Sequence, residues 1–149
     1  MKFNNHMQTA IEEARNAGLR GEVPVGAVVV TSTGIVISKS GNRSRELFDP
    51  SAHAEMLAIR DACRLLESER IPECDLYVTL EPCAMCAGVI SASRIRRLYF
   101  GAYDPKSGGV LNGARIFEHP QCHHKPEIYD SLNVKECASM LTEFFKVLR

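Results

Sequence analysis

The sequence predicts an α/β fold, a mixed sheet with helices on both faces, and three observations carry that prediction. Residues 25–31 and 35–40 are rich in β-branched side chains and flank a Ser-Thr-Gly turn, which reads as a β-hairpin. Residues 75–80 and a run around 97–100 read as two further strands with a helix between them, the layout of a parallel βαβ unit. Apolar residues at helical spacing mark the segments around these strands. A hairpin placed beside a parallel unit makes the sheet mixed and leaves helices to cover both of its faces.

Taken in order, Phe3, Met7, Ile11 and Ala14 repeat at helical spacing until Gly18, the expected stop of a first helix. After the hairpin, Asp49-Pro50-Ser51 looks like a helix start with Ser51 as N-cap. The apolar run Met56, Leu57, Ile59, Ala62, Cys63, Leu65 and Leu66 then forms the expected inner face. The strand at residues 75–80 has no breaker, and Pro82 behind it suits the first turn of the next helix. Four strands are clear, residues 127–129 are the candidate fifth, and a last helix is expected over residues 134–147.

Composition bounds the function. A chain of 149 residues with 45% hydrophobic content is most simply one domain, residues 1–149, with material for a core. Its start carries no apolar run resembling a signal peptide, and its apolar stretches are too short to cross a membrane. Six cysteines suit a reducing cytosol, where metal ligation is favoured over disulfides. Eighteen basic and eighteen acidic residues cancel, so no bulk signature of nucleic-acid binding exists. Phosphate contacts would have to come from local clusters: Arg94, Arg96 and Arg97; Arg43 and Arg45; Lys146 and Arg149. Judged singly, each such cluster is more often a solvated surface than a binding patch.

The chemistry concentrates in His53-Ala54-Glu55 and Pro82-Cys83-Ala84-Met85-Cys86. Zinc takes imidazole nitrogen and thiolate sulfur tetrahedrally; structural sites use four protein ligands, whereas catalytic sites use three and keep a place for water. His53, Cys83 and Cys86 make three, and the chain contains no second Cys-x-x-Cys to supply the other half of a structural ribbon. A redox pair is the plainer reading of Cys-x-x-Cys at a helix start, but it leaves His53-Ala54-Glu55 without a purpose. Three residues apart at a helix N-terminus, the two cysteines share a face where the dipole favours thiolate.

His53 and Glu55, two apart, do not share a face of a regular helix. They converge only if the site lies off the helix N-terminus. Glu55 alone would pass as one more acidic residue in a first helical turn; beside three zinc ligands it reads as a proton carrier. His-x-Glu followed by Pro-Cys-x-x-Cys is the ligand pattern of hydrolytic nucleobase deaminases. Zinc lowers the pKa of bound water from about 15.7 to about 7. At about 1.36 kcal/mol per unit, that is on the order of 12 kcal/mol toward the hydroxide nucleophile. Glu55 would take the water proton, pass it to the ring nitrogen and protonate the departing amine, acting first as base and then as acid.

Further blocks extend the pattern: Glu22-Val23-Pro24-Val25-Gly26-Ala27-Val28, Gly41-Asn42-Arg43, Ala52-His53-Ala54-Glu55 and Tyr77-Val78-Thr79-Leu80-Glu81-Pro82-Cys83. They continue with Ser93-Arg94-Ile95, Phe100-Gly101-Ala102 with Asp104 and Lys106, and Glu143-Phe144-Phe145. From about residue 20 onward the chain resembles the bacterial tRNA-specific adenosine deaminases of the cytidine and deoxycytidylate deaminase superfamily. The zinc motif points to the superfamily, and the combined blocks point to the tRNA branch.

That resemblance implies a three-layer α/β/α sandwich with a mixed five-stranded sheet and one zinc ion (Zn2+) per subunit. It implies conversion of the wobble adenosine at position 34 of a tRNA anticodon to inosine by a cytoplasmic homodimer that binds the anticodon stem-loop. Zinc-bound hydroxide is the implied nucleophile and Glu55 the shuttle. Asn42 matches the asparagine that contacts the target nucleoside, although spacing alone fits a turn residue after Gly41 equally well. Asp104 and Lys106 match a loop lining the RNA groove. Phe144 and Phe145 match the aromatic part of the final helix; adjacent residues point about 100° apart, so one belongs to the core. Phe145 is the one expected to face RNA.

Two other readings share parts of this pattern. A deaminase of free bases, nucleosides or nucleotides would use the same zinc apparatus but close its pocket over a small ligand. A non-catalytic RNA-binding module would keep zinc for stability alone, and would have no use for Glu55. The segment His119-Pro120-Gln121-Cys122-His123-His124 is dense in metal-ligating side chains. It reads as a loop whose histidines meet phosphate or solvent, since no partner ligands are spaced for a second zinc, and the resemblance assigns it no role.

Overall fold

The computed structural model describes residues 5–147; Phe3 and Arg149, named above, lie outside them. Five strands form one sheet in the order β2-β1-β3-β4-β5: β1 (Gly26–Thr31), β2 (Val36–Gly41), β3 (Cys74–Leu80), β4 (Arg97–Ala102) and β5 (Glu127–Tyr129). Strand β1 runs antiparallel to both β2 and β3, whereas β3, β4 and β5 are parallel. The mixed sheet and the fifth strand at residues 127–129 are as the sequence predicts.

Helices α1 (Met7–Leu19) and α4 (Val134–Val147) cover one face; α2 (Ala54–Leu66) and α3 (Ala84–Ala92) cover the other. Side chains on a strand alternate between faces. Thus Leu76 and Val78 of β3 join Val29, Ile59, Ile90, Leu98 and Phe100 under α2 and α3. Tyr77 joins Met7, Ile11, Val28, Tyr99 and Cys137 under α1 and α4. Burial on both faces is why β3 reads as a nearly unbroken apolar run.

The register sets the position of the site. Gly26 pairs with Gly41, Ala27 with Val78 and Leu80 with Ala102. The start of β1, the end of β2 and the carboxyl ends of β3 and β4 therefore share one edge of the sandwich. In open α/β sheets, ligands bind outside the carboxyl ends of the strands.

Three boundaries differ from the sequence expectations. Gly18 does not stop α1. The helix continues to Leu19, and the chain leaves through Gly21, whose φ of 86° is left-handed. There Gly21 N–H donates to the Gly18 carbonyl and Glu22 N–H to the Ala17 carbonyl, a Schellman closure. Ser51 is not the N-cap of α2: its N–H and hydroxyl both donate to Asp49 Oδ1, at 2.9 and 2.7 Å, and the cap position falls to His53. Pro82 precedes the N-cap of α3, Cys83, instead of occupying the first turn. Leu65 and Leu66, expected on the inner face of α2, are exposed, because the helix's buried stripe ends at Ala62.

Candidate active site

Both ligand-bearing helices aim their N-termini at the same place. His53 is the N-cap of α2 and Cys83 the N-cap of α3, and neither uses its side chain to cap its own helix. The side chains meet each other instead: His53 Nδ1 lies 3.6 Å from both Cys83 Sγ and Cys86 Sγ. Among the described residues, these three form the one metal-competent group, its ligand atoms all within 4.8 Å of one another. The N–H groups at two helix starts favour negative charge there.

The two thiols shift in opposite directions through the hydrogen bond between them. Hydrogen bonding from Cys86 pulls the Cys83 thiol down to about 4 against the effect of burial, with help from His53 and the Cys86 backbone N–H. Cys86 moves up, held by its hydrogen bond to Cys83 and by burial. His53 is raised by its hydrogen bond to Cys83, with burial opposing. A thiolate already stable near neutral pH, a second thiol and an imidazole within one ion's reach are a donor set that fits zinc with three protein ligands.

Glu55 lies in the first turn of α2 and is buried, with 4% of its surface accessible. Burial is the first cause of its raised pKa, with the His53 charge and its own backbone N–H pulling the other way. A carboxyl moved toward neutrality is suited to accept a proton and return it.

The site opens into a pocket of about 190 Å³ lined by Val23, Val25, Asn42, His53, Glu55 and Cys83, with Leu80, Glu81, Asp104 and Ser107 on its other side. Asn42 is not a plain turn residue. Its Oδ1 accepts the Ala54 N–H at 2.8 Å, and its Nδ2 donates to the Val23 carbonyl at 3.2 Å. It caps α2 from a different loop, and its amide has capacity for one further donated and one further accepted bond. Asp104 reaches the pocket with one carboxylate oxygen already accepting the Ser107 N–H at 2.9 Å.

Lys106 and Phe145 line an adjoining groove of about 470 Å³ with Tyr103 and Leu141, which shares Val23, Leu80, Asp104 and Ser107 with the pocket. Phe145 is 46% exposed, whereas Phe144 is half-buried and lines a cavity with Leu19, Pro24 and, on its own helix, Met140. The histidine-rich segment is elsewhere: His119 and His124 bond the Ala114 and Ile95 carbonyls, and no metal group forms around them among the described residues.

One residue of the site is not apparent from sequence. Glu81, 1% exposed, accepts the N–H groups of Asp104, Val110, Leu111 and Asn112 and the Asn112 amide. It clamps the segment that carries Asp104, Lys106 and Ser107. Its partners are mainly backbone groups more than twenty positions away, and sequence displays no sign of them beyond a carboxylate next to Pro82.

Comparison with known proteins agrees with this geometry. The family model for the cytidine and deoxycytidylate deaminase zinc-binding region matches residues 2–102. The tRNA-specific adenosine deaminase of Agrobacterium fabrum is 57% identical over 143 residues, spanning 96% of this chain and 93% of that protein. The Aquifex aeolicus protein of the same name is 46% identical over the same coverage. This chain belongs to the tRNA-specific adenosine deaminase family. A solved structure from work on A-to-I editing by tRNA:A34 deaminases superposes with a TM-score of 0.89 at 58% identity, covering 91% of this chain and 97% of that one. A guanine deaminase from Nitrosomonas europaea shares the fold, with a TM-score of 0.80 at 21% identity over 93% of this chain and 82% of its own. The zinc-binding region of that family model and the cluster of His53, Cys83 and Cys86 together fit one zinc per subunit. No helix among the described residues is long and apolar enough to cross a membrane.

Proposed function

We propose that this deaminase hydrolyses the wobble adenosine at position 34 of a tRNA anticodon to inosine, releasing ammonia. The observation that carries the reading is the cluster of His53, Cys83 and Cys86 beside buried Glu55, at a pocket that shares its wall with a larger, open groove. A free-base deaminase would close that opening over its ligand. The names of relatives identical at 46–57% support the same substrate.

Zinc, when bound, supplies a Lewis acid that makes hydroxide available near neutral pH. Glu55 takes the proton released by the attacking water and delivers it to purine N1 as the new C6–O bond forms. It then carries the proton of the new C6 hydroxyl to the C6 amine, so that the C–N bond breaks with ammonia as the leaving group and C6=O forms. Water plus adenosine thus gives inosine plus ammonia, with Glu55 unchanged. Asn42 holds the nucleoside through the unspent capacity of its amide. Asp104, Lys106 and Phe145 meet the strand in the groove, Lys106 as a phosphate partner and Phe145 as an apolar surface. Unstacked loop bases read in this way are the usual target of sequence-specific RNA recognition.

The enzyme works as a cytoplasmic homodimer whose partner subunit completes the RNA groove. The absence of any charged residue along α3, whose Met85 is 39% exposed, supports self-association. Six cysteines, two of them placed to hold zinc, suit a reducing compartment. Incubation with an anticodon stem-loop carrying wobble adenosine, beside free adenosine, cytidine, cytosine, guanine and deoxycytidylate, tests the substrate. Inosine in the stem-loop alone is expected; ammonia from a free compound with the RNA untouched would overturn the assignment. Sedimentation showing only monomer at micromolar concentration would overturn the dimer.

A further inference from the structure

Tyr103 has no part in the chemistry above, yet it is built into the groove wall. It follows β4 immediately, is 41% exposed, and lines the groove with Phe145, Lys106 and Leu141. Two hydrogen bonds fix its far end: the hydroxyl donates to Asp130 Oδ2 at 2.5 Å and lies 2.6 Å from Ser131 Oγ. Its near end is held edge-on by Phe100, with ring centroids 5.7 Å apart at 87°. An exposed aromatic that is anchored at both ends has lost its conformational freedom before any ligand arrives. Such preorganisation favours stacking of a planar group on its surface.

The surroundings define that planar group. Val23, Leu80 and Leu141 supply apolar lining, two aromatic side chains stand along the groove, and Lys106 supplies a cation beside the Asp104 carboxylate. Apolar and aromatic surface interleaved with a cation is how proteins hold single-stranded nucleic acid, by stacking bases and tracking phosphates. The groove and the catalytic pocket share Val23, Leu80, Asp104 and Ser107, so a strand with one base in the pocket runs directly into the groove. The groove's volume of about 470 Å³ lies within the range of about 300–1,000 Å³ occupied by small-ligand sites.

We infer that Tyr103 is a stacking platform for the nucleobase adjacent to the target adenosine, and so helps set how the substrate is positioned. The inference rests on the tRNA reading and specifies its mode of recognition. Tyr103 touches a neighbouring base, not the reacting atoms, so its loss should weaken substrate capture more than turnover.

The test compares wild type, Tyr103→Ala and Tyr103→Phe on the anticodon stem-loop, and on stem-loops abasic at either nucleotide flanking the target. Zinc content and thermal melting check that each variant is folded. Tyr103→Ala should raise KM by roughly 5- to 150-fold, the range of one lost base stack, with kcat changed far less. Tyr103→Phe keeps the stacking face but loses the hydroxyl anchor, and should fall between wild type and Tyr103→Ala. On the stem-loop lacking the stacked base, wild type and Tyr103→Ala should become alike. A folded Tyr103→Ala with unchanged KM would overturn the inference while leaving the tRNA reading intact. So would Tyr103→Phe as impaired as Tyr103→Ala, which would assign the effect to the hydroxyl. A wild-type enzyme that forms no inosine in the stem-loop would overturn both.

Discussion

Asn42 Oδ1 accepts the N–H of Ala54, the first residue of α2, at 2.8 Å. A residue just past the end of β2 thus does for α2 what an N-cap side chain ordinarily does, and frees His53 to turn toward the thiols. The cap and the metal ligand sit at adjacent positions of one helix start, so the support of the fold and the support of the site are the same bond.

Removing that bond should therefore affect both. Asn42→Ala is expected to cost about 1 kcal/mol of stability, the usual loss of a cap. Zinc affinity should fall with it, and activity should fall further as the pocket amide is lost. Chemical denaturation and zinc competition with a chelator measure the first two. Unchanged denaturation midpoint and zinc affinity would count against the remote cap.

Gly109, in the segment that follows Asp104 and Lys106, packs against the start of α3. Its N–H donates to the Pro82 carbonyl at 2.8 Å, and a Cβ there would lie 2.5 Å from Ala84 N and 2.8 Å from the Cys83 carbonyl carbon. These are backbone atoms at the helix start that holds both thiolates. Gly109→Ala should destabilise by about 1–3 kcal/mol through overpacking and displace Cys83. A melting curve together with zinc stoichiometry checks this; a variant with wild-type melting and one zinc per chain would refute it.

Glu81 gives a dependence on pH. Burial pushes its carboxyl up, but the hydrogen bonds from Asp104, Asn112 and Leu111 outweigh burial and hold it below the ordinary 4.5. A carboxyl depressed in the folded state contributes stability above its unfolded pKa and loses it as pH falls through the folded value. Glu81→Gln, which replaces one acceptor oxygen by a donor, should cost about 1–3 kcal/mol at neutral pH. The difference in Tm between variant and wild type should narrow as pH drops below about 4.5. A gap that stays constant through acid would show that the ionised carboxylate is not what holds the loop.

Phe144 and Phe145 should separate stability from substrate capture. Phe144→Ala is expected to lose about 1 kcal/mol through its half-buried ring, which lines a cavity with Arg15 and Leu19 of α1. Phe145→Ala should stay within about 0.5 kcal/mol of wild type in stability yet raise KM for the stem-loop. Paired melting and steady-state measurements decide it; the reverse pattern would exchange the two roles.

The parts of the molecule legible in the sequence are those whose cause is local. Runs of β-branched and aromatic residues without breakers give the strands, and the candidate fifth at residues 127–129 forms β5. His53, Glu55, Cys83 and Cys86 declare themselves because the two helix starts that carry them are short contiguous motifs. Caps were less legible. Ser51 has the right chemistry for an N-cap, but Asp49 claims both its N–H and its hydroxyl. Gly18 looks like a stop, but the left-handed turn that closes α1 falls at Gly21. Glu81 and Tyr103 were hidden for a different reason. Glu81 reaches its partners across 23–31 residues and Tyr103 across 27–28, and bonds of that span are made by the fold.

The central claim is that Glu55 moves protons at a site whose zinc is held by His53, Cys83 and Cys86. The most direct test is a single-turnover assay of inosine formation in the anticodon stem-loop by wild type and Glu55→Ala, with zinc quantified in the same samples. The account predicts one zinc per chain in both proteins, inosine from wild type, and none above background from the variant. Inosine formed by zinc-replete Glu55→Ala at a rate near wild type would contradict it.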